Sequence, residues 1–186
     1  MKTVVFFGSA RENGNTKDLL NKFLEDLKGE VEIIDAYRNE VGGCIDCRYC
    51  WRHRGCSVQD NMQDIYPLID GADNIVFATP IYFNNVPGPL KKIIDRCQVY
   101  WASRRRGDRN EISNKKAVLL IVGGAPSYNN QFKAIEIVLE GVLKDMKAKL
   151  IGNVYVPNTD QVPVLENKDA KRKAGDLALQ LNKEKK

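Results

Sequence analysis

The sequence predicts a doubly wound α/β fold, in which helices cover both faces of a five-stranded parallel sheet. Three observations lead to this prediction. Short apolar runs rich in β-branched residues alternate with segments whose apolar residues recur at helical spacing. The apolar runs are continuous, as is typical of strands buried on both faces of a parallel sheet. The 186 residues and the hydrophobic share of 43% suit one globular domain, 1–186, and no internal repeat or linker suggests a second one.

Each element follows from its local pattern. The strands are predicted at 3–7, 31–34, 74–78, 116–122 and 150–156, and the helices at 16–27, from 60 onward, and at 89–99, 131–146 and 167–181. The first helix, for example, places Leu19, Leu20 and Phe23 at helical spacing. Residues 36–58 are predicted to be irregular, with a cysteine-rich insertion at about 40–58. Residues 100–114 are polar and rich in arginine, which predicts a surface loop.

The second helix carries its own boundary signals. Asp60 is the predicted N-cap, and Gln63 occupies the position from which a capping box would close. Pro67 lies inside the helix and allows for a break there, because proline lacks a backbone N–H and clashes with the preceding turn.

Composition and charge exclude several functional classes. The formal net charge is +5, but no nucleic-acid recognition motif accompanies the basic residues. No stretch approaches the roughly 20 apolar residues that cross a bilayer, and the first residues lack the features of a signal peptide. We therefore expect a cytoplasmic protein that binds neither nucleic acid nor membrane. In that compartment, grouped cysteines indicate a metal or redox site and not a disulfide framework.

Residues 8–16 join the first strand to the first helix and predict a phosphate site. A helix N-terminus offers free backbone N–H groups and a partial positive charge. Ser9, Asn15 and Thr16 add polar side chains, Arg11 adds a cation, and glycines let the backbone approach closely. The loop matches neither a dinucleotide fingerprint nor a P-loop, which fits a monoester phosphate without magnesium. The alternative is an ordinary capped turn with Asn15 or Thr16 as N-cap.

Two further loops follow predicted strand ends and predict a site for a flat heteroaromatic ring. Residues 79–88 bring two aromatic side chains and two amides, and residues 123–130 begin with two glycines that allow close approach. Each loop alone is consistent with a simple turn. In a doubly wound sheet, however, ligands bind at the carboxyl ends of the strands, so the three loops are expected to meet around one ligand.

Four of the five cysteines fall within thirteen residues and read C-x2-C-x2-C-x5-C: Cys44, Cys47, Cys50 and Cys56. Thiolates crowd together only where a metal offsets their charge. The spacing favours an iron–sulfur cluster over a single ion, since zinc sites usually consist of two separated C-x-x-C pairs. Zinc, a cluster-free protein that retains the cysteines, and a disulfide or redox switch remain open. His53 is expected to be exposed or to play an outer, non-ligating role, and Cys97 to be a buried, inert thiol.

These motifs resemble one known family. The runs G-S-A-R-E-N-G-N-T at 8–16 and T-P-I-Y-F-N-N-V-P-G-P-L-K at 79–91, with the Gly123-Gly124 loop, resemble the NADPH-dependent FMN reductase group of flavodoxin-like proteins. With the cysteines, the chain resembles the iron–sulfur flavoprotein branch.

The resemblance implies a flavodoxin-like fold with strand order 2-1-3-4-5, FMN as cofactor, and a homodimer or homotetramer with FMN near a subunit interface. The cofactor-binding residues that follow are Ser9, Arg11, Asn13, Gly14, Asn15, Thr16, Pro80, Ile81, Tyr82, Phe83, Asn84 and Gly124. The resemblance also makes Cys44, Cys47, Cys50 and Cys56 the ligands of a 4Fe–4S cluster.

The resulting functional hypothesis is an FMN-dependent redox protein. Electrons enter from a small-molecule or protein donor, such as NAD(P)H or ferredoxin, and pass to an acceptor. No catalytic side chain is expected, because the flavin carries the chemistry. Arg104-Arg105-Arg106 is either a solvated loop or a surface for an acidic electron carrier or an NADPH phosphate. The alternatives are a cluster-free NAD(P)H-dependent FMN, quinone, azo or nitro reductase, and a non-enzymatic carrier or redox sensor.

Overall fold

The structure, a computed structural model, describes residues 1–183 and contains one five-stranded sheet. The strands are β1 (Lys2–Phe7), β2 (Glu30–Asp35), β3 (Asn74–Pro80), β4 (Lys115–Val122) and β5 (Ala148–Val156). All neighbouring strands pair in parallel, in the order β2-β1-β3-β4-β5. The flavodoxin-like strand order that the family resemblance implied is therefore confirmed.

Within residues 1–183, six α-helices connect and follow the strands. They are α1 (Asn15–Glu25), α2 (Met62–Asp70), α3 (Gly88–Arg96), α4 (Gln98–Arg106), α5 (Lys133–Asp145) and α6 (Lys168–Leu181). Short 3-10 turns occur at Tyr49–Trp51, Arg109–Glu111 and Val164–Glu166. None of the helices in this part of the chain is long and apolar enough to cross a lipid bilayer.

The sheet separates two hydrophobic cores, as alternation along the strands requires. Val4 and Phe6 of β1 point into a core shared with α2, α3, α4 and α5. Val5 and Phe7 point to the opposite face, which α1 and α6 cover. Phe6 and Phe77 stack across neighbouring strands, with ring centroids 4.9 Å apart.

The predicted surface loop at 100–114 was wrong over its first half, because residues 98–106 form α4. Val99, Tyr100 and Ala102 are buried against the core, whereas the arginines project from the last turn of the helix. The helix ends at Gly107, whose φ of 83° suits the left-handed C-terminal turn that favours glycine. The amphipathic pattern is short, and its polar face, dense in arginine, resembles loop composition.

The capping box predicted at the start of α2 was also wrong. Asp60 Oδ1 does accept a hydrogen bond from the Met62 amide at 3.0 Å. The Gln63 amide group, however, donates to the carbonyl oxygens of Val58 at 2.6 Å and Cys56 at 3.2 Å. We call residues 42–58, which contain the four grouped cysteines, the cysteine segment. Gln63 therefore holds the end of this segment against α2. Pro67 causes no break, because the helix runs on to Asp70.

The aromatic stack between β1 and β3 gives a prediction about stability. Phe77 is fully buried, so Phe77→Ala should lower the free energy of unfolding by about 3–5 kcal/mol, through lost burial and the cavity left behind. Phe83→Ala removes the same atoms from a side chain that is 104% exposed, and should change stability by less than about 0.5 kcal/mol. Denaturant unfolding measures both changes, and equal losses in the two variants would contradict this packing.

Candidate functional site

The carboxyl ends of the parallel strands carry four connected segments. We call residues 8–14 the first loop, 81–87 the second loop, 123–130 the third loop and 157–163 the β5 segment. The Gly8 amide donates to the Ala78 carbonyl at 2.9 Å, and the Ile81 amide to the Val122 carbonyl at 2.9 Å. Both bonds continue the sheet pairing past the strand ends, so the first three loops leave the sheet side by side.

The first loop has the features of a phosphate site. Ser9 is buried, and its Oγ accepts a hydrogen bond from the Arg11 amide at 3.2 Å. Gly14 has a φ of 153°, a conformation that side-chain-bearing residues rarely adopt, and the first helical bond of α1 runs from the Asp18 amide to its carbonyl. The preceding amides are the free donors of the helix start. Thr16 is buried in the first turn, whereas Arg11 and Asn13 are exposed.

Asn15 braces the first loop from behind. Its Oδ1 accepts from the Val164 amide at 2.8 Å, and its Nδ2 donates to the Thr159 carbonyl at 3.2 Å. These two bonds fix the start of α1 to the β5 segment. One Nδ2 hydrogen is left for a ligand. Most of this side chain's hydrogen-bonding capacity therefore positions the loop.

The second loop is a tight hairpin turn that presents aromatic side chains. Tyr82 and Asn85 exchange backbone hydrogen bonds of 2.9 and 3.0 Å. The two central residues, Phe83 and Asn84, have φ values of 48° and 60°, the signature of a type I′ turn. A phenylalanine in this region is strained, which costs about 1–3 kcal/mol and is common at ligand sites. Tyr128 of the third loop donates to Asn84 Oδ1 at 2.5 Å and links the two loops.

The β5 segment completes the site and was missed in the sequence. Its amides at Thr159 and Asp160 donate to the carbonyls of Gly123 and Gly124 at 3.0 and 3.2 Å. A Cβ at Gly124 would lie 2.5 Å from the Asp160 carboxylate, so a larger residue there would have to displace this exposed side chain. The polar run Asn158-Thr159-Asp160 directly after a buried strand is the signal that could have identified it.

Two buried oxygen atoms beside the third loop have no hydrogen-bond partner among the described residues: Gln131 Oε1 and Asn158 Oδ1. Such atoms usually accept from a ligand or water. Together with the donors of the first loop and the half-exposed rings of Tyr82 and Tyr128, they fit FMN. The phosphate matches the donors, the ring matches the aromatic loops, and the ring imide and ribityl hydroxyls are donors for the unpaired oxygens.

Residues after β2 connect this site to the cysteine segment. Arg38 forms an ion pair with Glu12 of the first loop and another with Asp35 at 2.5 Å. Burial, with the nearby Tyr82 hydroxyl, raises the pKa of Tyr37 above its ordinary value. Tyr37 thus approaches the second loop just before the chain enters the cysteine segment.

All four grouped cysteines line one cleft of about 730 Å³ between the cysteine segment, the α3–α4 junction and α5. The thiols are free, with Cys44 and Cys47 exposed and Cys50 and Cys56 half-buried. Burial, followed by the charges of Cys56, Cys44 and Cys47, raises the pKa of Cys50. The four sulfurs are therefore close enough to repel one another as thiolates. In residues 1–183, no group of three or more His, Cys, Asp or Glu side chains is arranged to hold a metal ion.

Cys47 differs from its neighbours. Its Sγ lies 3.2 Å from Ser57 Oγ, a contact that the sequence did not suggest. The hydrogen bond with Ser57, and a second with the Tyr49 backbone, lower the pKa of Cys47. His53 is exposed and stacks on Tyr49 with ring centroids 4.6 Å apart, consistent with its predicted non-ligating position. Cys97 is buried, as predicted, and burial raises its pKa.

One buried ion pair closes the base of the cysteine segment. The Arg96 side chain is fully buried, and its Nη1 lies 2.6 Å from Asp60 Oδ2. The same guanidinium donates to the carbonyls of Gly42 and Val58, each at 3.1 Å, and Asp60 Oδ2 accepts from the Gly42 amide at 2.8 Å. Although burial opposes it, these bonds hold the pKa of Asp60 below its ordinary value. Neither residue was identified as functional from the sequence.

The three consecutive arginines of α4 have three different environments. Arg104 pairs with Asp145 of α5 at 2.8 Å. Arg106 donates to the Cys50 carbonyl and pairs with Asp108 at 2.9 Å, so it holds the cysteine segment. Arg105 lies over the Trp51 ring at 4.5 Å, and Arg48 lies 4.8 Å from the same ring. The triplet is therefore largely structural, with Arg105 and Arg48 forming a small cationic surface around Trp51.

Comparison with solved structures supports the fold. The NAD(P)H:quinone oxidoreductase from Methanothermobacter marburgensis aligns with a TM-score of 0.78 and 18% identity, covering 100% of this chain and 98% of that one. An FMN-dependent NADH-azoreductase from Bacillus anthracis, solved in complex with FMN, aligns with a TM-score of 0.70 and 14% identity, covering 98% and 100%.

Curated relatives named iron–sulfur flavoprotein are more similar in sequence. One from Methanosarcina thermophila is 30% identical over 141 residues, which cover 74% of this chain and 71% of that protein. One from Methanocaldococcus jannaschii is 33% identical over 122 residues, covering 63% of this chain. The chain spans 61%, 51% and 47% of the length of this and two further such relatives from Archaeoglobus fulgidus.

The family profile described as NADPH-dependent FMN reductase matches residues 1–159, which include all four segments of the site except the end of the last, and the whole cysteine segment. With the relatives above, this match confirms the resemblance seen in the motifs. The chain belongs to the NADPH-dependent FMN reductase family, within its iron–sulfur flavoprotein branch.

Proposed function

We propose that the protein is an FMN-dependent oxidoreductase in which the four grouped cysteines bind a 4Fe–4S cluster. The observation that carries the proposal is the presence of two sites in one chain: a donor-rich loop cradle at the strand ends, and a cleft lined by four free thiols. When bound, FMN supplies both one- and two-electron transfer, and a cluster supplies one-electron transfer. Electrons are proposed to enter from a reduced carrier or NAD(P)H and to leave to an acceptor.

The chain's own residues bind and orient the flavin. Ser9, Thr16 and the amides at the start of α1 are the proposed phosphate donors, with Arg11 as an exposed cation. The second loop is proposed to hold the ring. The strained backbone at Phe83 and Asn84 fixes which way its amides and aromatic side chains face. The fully exposed Phe83 is also a surface that a second subunit would cover, in line with the proposed homodimer or homotetramer.

The cysteine cleft favours a cluster over zinc. The four cysteines fall within thirteen residues and line one wide cleft, whereas zinc sites usually consist of two separated C-x-x-C pairs. A cluster is larger and takes one cysteine per iron. Arg96 and Gln63 bind backbone carbonyls at the ends of this segment, and Arg106 binds one in its middle.

A second candidate is a cluster-free NAD(P)H-dependent quinone or azo reductase. Structural neighbours with those titles align over essentially the whole chain, and the thiols do not form a closed metal site. A third candidate, a non-enzymatic carrier or sensor, would bind FMN but would not turn over with NAD(P)H or a protein donor.

The phosphate site predicts a difference between two flavins. Ser9→Ala should weaken FMN binding to the flavin-free protein by about tenfold, because one phosphate hydrogen bond worth about 1.4 kcal/mol is lost. Riboflavin lacks the phosphate, and its affinity should not change. Flavin fluorescence titration measures both. Ser113→Ala, at the other end of β4, is the control and should leave both affinities unchanged. Equal weakening of FMN and riboflavin would place Ser9 outside the phosphate site.

The cluster is tested by metal content. After anaerobic purification or reconstitution, the unmodified protein should hold about four iron and four sulfide per chain. Cys47→Ser should lose most of both, whereas Cys97→Ser should keep them, because Cys97 is buried outside the segment and its Sγ donates to the Ile93 carbonyl at 3.3 Å, a bond serine can replace. Flavin absorbance without iron in the unmodified protein would instead support the cluster-free reductase.

The cationic surface around Trp51 predicts the electron donor. If an acidic protein carrier docks there, Arg105→Glu should slow reduction by a reduced ferredoxin about tenfold at low salt, and the difference should vanish at high salt. Arg172→Glu, an exposed change on α6 across the sheet, should have little effect. Stopped-flow kinetics measure the rates. A loss confined to NADPH oxidation would assign the surface to the nucleotide phosphate.

A further inference from the structure

Arg96 is the most unusual charged residue of the protein. It is the last residue of α3, and its side chain has no exposed surface. Among the fully buried side chains of residues 1–183, it belongs to the residue with the largest volume. Burying a guanidinium costs several kcal/mol unless its charge and its N–H groups are satisfied. A residue of this kind inside a small domain therefore calls for a specific role.

Its bonds show what it closes. Nη1 donates to the Gly42 carbonyl and Nη2 to the Val58 carbonyl, while Asp60 binds both the guanidinium and the Gly42 amide. Gly42 lies two residues before Cys44, and Val58 two residues after Cys56. One side chain thus joins both ends of the loop that carries all four thiols. The planar, five-donor fork of arginine allows this, and the single ammonium of lysine does not.

One nitrogen of the guanidinium remains without a partner. Arg96 Nε is buried and has no hydrogen-bond partner among the described residues. Arg96 is also part of the wall of the thiol cleft, together with Cys50 and Cys56. Burial disfavours its charge, but Asp60, Tyr66 and Cys56 outweigh this and raise its pKa. An arginine guanidinium stays charged in proteins, and this one pairs with Asp60 at 2.6 Å, so a positive charge is held near Cys56, whose sulfur accepts N–H groups when it is thiolate.

We propose that Arg96 is a positioning residue for the metal centre: it closes the cysteine loop before the metal binds, and its charge and free N–H then favour the reduced form of the cluster. The inference rests on the proposed function, since it requires that the four cysteines bind a cluster. A nearby positive charge and hydrogen bonds to sulfur both raise the reduction potential of a cluster, because reduction adds negative charge.

Two substitutions distinguish the closing of the loop from the effect of the charge on the cluster. Arg96→Lys keeps a positive charge but cannot bridge Gly42 and Val58, whereas Arg96→Gln also removes the charge. Arg104→Gln is the matched control, because the Arg104 guanidinium pairs with Asp145 of α5, outside the cysteine segment. Binding of FMN by each variant shows that the sheet and its loops have folded.

The first measurement uses the metal-free protein and the rate at which a thiol reagent labels the four cysteines. At the half-buried Cys50 and Cys56, both Arg96 variants should be labelled about tenfold faster than the unmodified protein and Arg104→Gln, and limited proteolysis should cut between 42 and 58. Labelling at the unmodified rate in Arg96→Lys would overturn the closing role. This measurement needs no iron, so it stands apart from the test of cluster binding.

The second measurement is the reduction potential of the reconstituted cluster. Arg96→Gln should lower the ratio of reduced to oxidised cluster about tenfold at a fixed poise, which is 59 mV for a one-electron couple. Arg96→Lys should keep most of the unmodified potential. Equal potentials in the unmodified protein and Arg96→Gln, with iron content intact, would refute the electrostatic role. A lack of iron in the unmodified protein would refute cluster binding itself, and with it this role.

Discussion

The buried pair of Arg96 and Asp60 is the interaction on which the arrangement of the two sites depends. Residues 42–58 have little regular structure, so bonds to other elements must fix the position of their ends. Arg96 binds both ends. Asp60 neutralises the charge of Arg96 and also accepts a hydrogen bond from the amide of Met62, the first residue of α2. A buried ion pair adds little net stability compared with apolar packing, but removing one partner leaves an uncompensated charge. The pair is therefore better explained by the geometry it imposes than by the stability it adds.

Helix α3 connects that pair to the flavin site. It begins at Gly88, directly after the second loop, and ends at Arg96. Nine helical residues span about 13 Å at 1.5 Å each. The proposed ring site and the Arg96–Asp60 pair therefore lie at the two ends of this short helix. Leu90 and Ile93 are buried in the core and hold α3 against the sheet. The spacing between the two sites is thus set by a packed helix and not by a flexible loop.

Local sequence signals predicted the sheet and the location of the site, but not its supporting contacts. Continuous runs such as Val118–Val122 predicted buried strands, and parallel pairing brings their carboxyl ends to one edge without further information. The roles of Gln63, Asn15 and Arg96 could not be predicted, because each bonds to backbone carbonyls or amides that lie elsewhere in the chain. Such partners become visible only when the fold brings them together. Helix α4 was missed for another reason. Its last turn carries three arginines, and a segment of that composition resembles a loop until the fold shows what they bind, such as Asp145 for Arg104.

The thiols themselves indicate why the loop must be closed from outside. Burial and, after it, the neighbouring sulfurs raise the pKa of Cys50, so ionising all four cysteines together is unfavourable without a metal. In the metal-free protein, contacts among the thiols therefore do not stabilise the loop. Groups that do not bind metal must hold the thiols close together. Arg96, Arg106 and Gln63 fill that role through backbone carbonyls alone. Because these bonds involve no sulfur, they can stay in place when a cluster binds, whereas the contact between Cys47 Sγ and Ser57 Oγ must rearrange.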